Sequence, residues 1–472
     1  MAFSKKQQLG VAVESVPNTA ASISGTDVLD TLEVSRSVTQ NFLDREPTGG
    51  TLTRPARPTG TSECEITGRL DFKGSGTATT APRFARILEA GLWQQLNVHK
   101  LNVSATSAAI ALGDTLTGET SAAVGIVAAY APAGSTGILY VPISGTFSAA
   151  ETIDSAFRGA GVATATGTPV TTNQGLAWKP LSDIEATLEL AAGAWTAADP
   201  AAGAGIVVKD AGGVVVGELY FISQSGTTLT YAHAWGSISA GNTLTSKSGA
   251  GATVTATVHA TVPAITQTKG KTLSARYWRD RKTLNVIGGR CSFTAQADAG
   301  AAGTLNFTLR GSIASEVDGD KLSASGLSTT TPPRWIGPNG QRGAFFLAGI
   351  AFPVSSFSFD AGNTLARRAD ANATNGDAGG SVTGRSPSIT AEVDQVSVQA
   401  YDLLAKLQAG TQMSVGVQLG STAGNRLSII VPAGQLREYG EGDKDGQATN
   451  PLTWDAVGPD LTGDNECYLC HT

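Results

Sequence analysis

The chain has 472 residues, of which 41% are hydrophobic and only 15% charged. That apolar content can build a core, so the chain is not disordered, and the length allows two to four ordinary domains. The net charge of −6 comes with no basic domain, which argues against specific binding of duplex DNA.

Gly, Ala, Ser and Thr fill the space that charged residues leave, a mix suited to short strands and tight turns. Cys64, Cys291, Cys467 and Cys470 are too few for a disulfide framework in so long a chain. No apolar run reaches membrane-spanning length, so no membrane partner is expected. Leu9 to Val16 contains Glu14 and is broken by Pro17, so no signal peptide is read there.

Residues 1–60 read as an extended N-terminal arm, because Pro17, Pro47, Gly49, Gly50, Pro55 and Pro58 interrupt any periodicity. Only Thr31 to Arg36 alternates as a strand would. Residues 61–103 open a β domain: Ile66, Leu70 and Phe72 share one face of a strand, and Glu65, Arg69 and Asp71 the other. A short helix follows, with Thr80 as its cap, Pro82 in the first turn, Phe84, Ile87 and Leu88 on one stripe, and Gly91 ending it in a left-handed turn.

Residues 104–175 and 185–265 read as two inserted β-modules of related design. Segments starting at Gly113, Ala150 and Gly241 each run small–polar–Thr–apolar–polar. Between the modules, residues 176–184 return to the main domain. Residues 266–472 complete it: Leu305, Phe307 and Leu309 alternate with polar residues, as do Ile389, Ala391 and Val393, and Met413, Val415, Val417 and Leu419. Tyr401 to Leu407 reads as a short helix, and the last strand is placed near Glu466 to Leu469. The fold class is mainly β: a β-sandwich or barrel domain with a short flanking helix and inserted small β-modules.

Few residues offer chemistry. Cys467-Tyr-Leu-Cys470-His471 matches the attachment pattern of c-type haem, but no helical cage accompanies it. Gly270-Lys271-Thr272 resembles the end of a phosphate-binding loop, but Ile265 stands where the first glycine belongs. His99, His233, His259 and His471 are dispersed. Asp360, Asn363, Asp370, Asn372, Asn375 and Asp377 could offer oxygens to calcium, although turn chemistry explains them better. Trp178, Trp195, Trp235, Trp278 and Trp335 either form glycan platforms or fill cores. No catalytic, metal or cofactor site is assigned, and no enzyme is expected.

Residues 7 to 93 resemble the opening of siphophage tail tube (major tail) proteins. The likeness runs through Gln8 to Thr19, Leu32 to Thr39, Cys64 to Phe72 and Ala81 to Leu92. It resumes at Lys271 to Asp280, Asn285 to Phe293, Gly303 to Gly311, Asp360 to Leu365 and Arg385 to Val393. The resemblance implies homo-hexameric rings, each chain giving a hairpin to an inner β-barrel, stacked into a tube for genome passage. The implied location is the virion tail, assembled in the host bacterial cytoplasm. DNA and a tape-measure protein would occupy the lumen without sequence-specific binding, and tail terminator and tail tip proteins would cap the ends. A trimer of duplicated units is the alternative symmetry, although the sequence shows no second copy of the helix segment. Another virion component, such as a capsid decoration or head–tail joining protein, or a glycan-binding β-protein, are the other readings.

Overall fold

The computed structural model describes residues 6–43, 56–191, 195, 200–236, 238–247, 253–259, 266–336, 344–373, 376–460 and 463–472. Pro47, Gly49, Gly50, Pro55, Asn375 and the side chain of Trp235 lie outside the described residues. The chain is mainly β, and its strand pairs are antiparallel.

The main body is built from two units with the same order of elements. In the first, strands Gln7–Val13, Thr31–Phe42 and Thr59–Asp71 lead to helix Ala85–Ala90; strands Leu273–Arg279, Lys282–Asp298 and Thr304–Asp318 follow. In the second, Phe345–Leu347, Val354–Asp360 and Ser388–Asp394 lead to helix Leu403–Gln408; Gln412–Leu419, Leu427–Tyr439 and Gln447–Val457 follow. Strand pairings correspond one to one. Even the register shifts recur, at Thr31/Glu33 and Val354/Ser356, and at Leu273/Ala275 and Met413/Val415. Leu29 N–H donates to Leu9 C=O as Phe352 N–H donates to Phe345 C=O.

Inward-facing residues match in the same register. Ile66 corresponds to Ile389, Leu70 to Val393, Phe307 to Leu452 and Leu309 to Trp454, and all are buried. Volume is traded across the pairs. Gly68 lies under Phe307, where a Cβ would stand 2.6 Å from the ring, while its counterpart Ala391 faces the smaller Leu452. Gly289 and Gly434 are also equivalent. A Cβ at Gly289 would lie 2.8 Å from the Leu273 carbonyl oxygen, and one at Gly434 3.2 Å from that of Met413. Gly289→Ala is therefore expected to cost more stability than Gly434→Ala, by about 1 kcal/mol or more; paired denaturant melts check the order.

Three expectations are corrected here. Residues 7–13 are not part of an extended arm: they form the first strand of the first unit and bury Leu9 and Val11. The partner strand, Leu273–Arg279, is remote in sequence. The helix read at Tyr401 to Leu407 is present as Leu403–Gln408, and Asp402 caps it by accepting from Ala405 N–H. At the first helix Thr80 is not the cap; its N–H closes a turn on Thr77, and the helix starts at Ala85 with Phe84 in the cap position. Gly91 has φ −80° and Leu92 takes the left-handed turn with φ 61°. Gly91 is needed for close approach instead, since a Cβ there would lie 3.1 Å from the Cys291 carbonyl oxygen.

In the second unit, residues 409–411 join the helix to the next strand. In the first, residues 91–272 fill the same place and hold both modules. Strand Trp93–Asn102 leads out, and Val170–Pro180 returns between it and Tyr468–His471, burying Leu176 and Trp178 in the main core.

The modules are copies of one design. In the first, Gly159–Thr164, Thr152–Ser155, Thr115–Gly118, Val124–Val127, Gly137–Ser144 and Trp93–Asn102 lie side by side. In the second, Thr253–Thr257, Thr243–Lys247, Gly205–Lys209, Val215–Ser225, Thr228–Gly236 and Glu185–Glu189 repeat that order, with Thr266–Lys269 added at the edge. The recurring sequence pattern encodes one turn. Ala150 and Gly241 have φ 62° and 76°. Glu151 and Asn242 after them are buried and accept from the N–H groups of Ser148 and Ser239. Each module has its own core, with Tyr140 and Tyr231 at equivalent positions.

Candidate assembly surface

The two units share one continuous sheet. Its strands run in the order Thr31–Phe42, Thr59–Asp71, Thr304–Asp318, Lys282–Asp298, Val354–Asp360, Ser388–Asp394, Gln447–Val457 and Leu427–Tyr439. The seam between units is the pairing of Thr294–Asp298 with Ser356–Asp360. One face is the core. The other is polar, because alternation sends every second side chain outward.

Charged, hydroxyl and amide side chains line this outer face in rows that cross the seam. Glu33, Arg69, Asn306, Thr294, Asp360, Ser388 and Asp455 form one row. Gln296, Ser358, Thr390 and Thr453 form the next. The face carries more acid than base: Glu33, Asp298, Asp360, Glu392 and Asp455 stand with Arg69, Arg437 and Lys444, of which Arg437 pairs with Asp455 at 2.7 Å and Lys444 with Glu392 at 3.9 Å. Hydrogen bonds from Thr449 and Ser355 hold Glu392 below the usual carboxylate range, so it stays charged. Two shallow grooves of about 460 and 580 Å³ lie along the face.

Both ends of this sheet are open among the described residues. Thr31–Phe42 pairs with Thr59–Asp71 on one side alone. Val38 and Phe42 on it are 49% and 48% exposed, and Leu32 and Leu43 are exposed as well. At the opposite end, Gln412–Leu419 covers Leu427–Tyr439 only as far as Gln435. Beyond that point the chain pairs only with Gln447–Val457, first from Leu436 to Tyr439 and then through Gly442–Lys444. An unpaired row of N–H and C=O groups is a template for another strand.

The residues with chemical promise are not brought together. Cys467, Cys470 and His471 lie on or beside the buried strand Tyr468–His471. Their spacing puts the two thiols on opposite faces, in different cores, so they cannot hold one haem. Burial raises both thiols and lowers His471, whose Nε2 lies 2.9 Å from the Gly424 carbonyl oxygen. At Gly270-Lys271-Thr272, two carbonyl oxygens converge on the buried Arg290 guanidinium, each at 2.8 Å. A phosphate site needs converging N–H groups instead. Lys271 pairs with Glu89 at 3.2 Å.

His99 packs edge-on against Tyr140 in the first module, while His233 and His259 belong to the second. Asp360, Asp370 and Asp377 accept from backbone N–H groups two residues on, which is turn chemistry. Asn363 donates to the Gly91 and Cys291 carbonyls. Among the described residues no group of His, Cys, Asp and Glu is placed to hold a metal. Trp178, Trp195, Trp278 and Trp335 are buried, which leaves none of these four as an exposed sugar platform. No helix among the described residues is long and apolar enough to cross a membrane. Duplicated units stood in the sequence only as the alternative, because their likeness lies in register more than in residue identity; helix Leu403–Gln408 is the second copy of the helix segment.

No protein-family model matches the chain, and no curated protein matches it.

Proposed function

We propose that the protein is a structural subunit of a bacteriophage tail tube, one that closes rings around a channel for genome passage. The observation that supports this best is the continuous sheet of two equivalent units, polar and acidic on one face and open at both ends. Such a sheet hides its edges by joining copies of itself into a closed barrel. Its polar face would line the channel. Short hydroxyl side chains there give DNA few groups to stack on, and the acids repel phosphate.

The repeat changes the chain count of a ring. Six tube units, as the family resemblance implies, would come from three chains of two units each. The modules, inserted together beside the first helix, would then recur on every second unit. DNA and a tape-measure protein are the proposed contents of the lumen, and terminator and tip proteins the proposed neighbours at its ends. Negative-stain imaging of purified protein at rising concentration tests this reading. Stacked rings or hollow tubes are expected; particles that stay monomeric at every concentration would overturn it.

A further inference from the structure

We infer that the seam between the two units inside one chain is also the contact between chains, so that Thr31–Phe42 of one copy pairs antiparallel with residues 440–444 of the next. The inference deepens the proposed ring and borrows from it only closure; the register comes from the internal repeat. In the seam, Thr294 faces Asp360, Ala295 faces Phe359, Gln296 faces Ser358 and Asp298 faces Ser356.

The strand pairings fix the equivalent positions. Thr304 and Thr449 both lie opposite the aspartate that ends their partner strand, Asp71 or Asp394. They in turn face Gln296 and Gly442, which makes those two residues equivalent. On the other side of the seam, Ile66 and Ile389 are equivalent and face Arg36 and Phe359. Carrying the seam's register outward therefore sets Gly440 against Ser37, Glu441 against Arg36, Gly442 against Ser35, Asp443 against Val34 and Lys444 against Glu33 of the next copy. Two of these five pairs join opposite charges directly across the ladder, although Arg36 and Lys444 also have partners within their own chain, Glu316 at 2.7 Å and Glu392 at 3.9 Å.

Exposure agrees. Val38, 49% exposed, is the counterpart of Ala361, which the seam buries completely. Arg36 meets Glu316 at 2.7 Å within its own chain and packs over the Tyr277 ring, so it is already held on the inward side of the edge that Glu441 would meet. Residues 440–442 include Gly440 and Gly442, which offer no side chain to block an approaching strand. The contact is head-to-tail: each copy offers one edge and receives on the other, so copies close into a ring and do not stop at a two-fold dimer.

The test is cysteine cross-linking of the full-length double variant Ser35→Cys/Gly442→Cys at assembling concentration. Cys64, Cys291, Cys467 and Cys470 are all buried and stay out of the reaction. Mild oxidation is expected to give a ladder of linked chains that reducing agent collapses, and neither single variant should give one. Charge variants provide a second route that adds no cysteine: Arg36→Glu should raise the concentration needed for assembly about tenfold or more, and Arg36→Glu/Glu441→Arg should restore it. Linked two-fold dimers from Ser35→Cys alone, or tubes that assemble normally with Arg36→Glu, would overturn the inference. Tubes without the ladder remove this register and leave the tube reading standing; absence of both tubes and ladder removes the two together.

Discussion

Trp454→Ala is expected to destabilise the fold by about 3–5 kcal/mol, the usual cost of emptying a large buried aromatic site. Trp454 is fully buried in the main core, with its ring 6.2 Å from Phe345 and its backbone in the last strands of the continuous sheet. The equivalent position in the first unit holds Leu309, so the second unit fills the same site with a much larger side chain. Leu309→Ala should cost about 2–5 kcal/mol. Trp454→Phe should cost clearly less than Trp454→Ala, because among the described residues the indole N–H has no hydrogen-bond partner to lose, and most of the ring is kept. Urea melts of the three variants check this ordering. Equal losses for Trp454→Phe and Trp454→Ala would show that shape complementarity, and not buried volume, governs the site.

Glu14→Gln is expected to destabilise the protein, and the loss should shrink as pH rises. Glu14 ties the first strand to the body. Its Oε1 accepts from Gly288 N–H at 2.8 Å and Ser274 Oγ at 2.9 Å. Its Oε2 accepts from Asn18 N–H at 2.8 Å and Thr272 Oγ1 at 2.6 Å. Each oxygen therefore meets a backbone N–H that can only donate. A glutamine must turn its NH2 toward one of them and leave that donor unmet, at about 1–3 kcal/mol.

Burial outweighs these hydrogen bonds and raises the Glu14 carboxyl above its usual 4.5. A raised folded value means that the fold binds the proton more tightly than the unfolded chain does. The stabilisation is fully present below about 4.5 and is lost as pH climbs through the raised value. Glutamine cannot titrate, so the gap between wild type and variant narrows over that window. Melts of both proteins from pH 4 to pH 8 measure it; a gap that widens with pH would reverse the sign assigned to Glu14.

Much of the β pattern was legible in the sequence. Ile66 and Leu70, Leu305 to Leu309, Ile389 to Val393 and Met413 to Leu419 all alternate, and each run is a strand with its apolar side in the core. The kinship of the modules was also legible, because a left-handed residue followed by a buried polar side chain and a Thr demands a narrow set of residues. The tandem units were not. Their equivalent positions hold Leu309 and Trp454, or Gly68 and Ala391, pairs that share inward direction and register but not identity. The insertion of residues 91–272 further puts the two halves out of step along the chain.

The first strand was misread for a related reason. Pro17 lies just beyond Gln7–Val13 and marks its end, but local sequence cannot reveal a partner at Leu273–Arg279. The open edges were equally invisible. Thr31 to Arg36 alternates, but the rest of Thr31–Phe42 is largely exposed on both faces and carries no pattern to say what covers it. The equivalent strand, Val354–Asp360, is paired on both sides inside the same chain and so shows what such an edge can receive.

The proposed closure of this chain into rings, from which a tube would grow, is tested most directly by electron microscopy of the assembled protein, with rotational analysis of end-on views. A hollow ring with an open channel is expected, built from head-to-tail chains, its wall showing six similar lobes with the extra modules on alternate ones. Monomers at every concentration, or two-fold dimers with no channel, would contradict it.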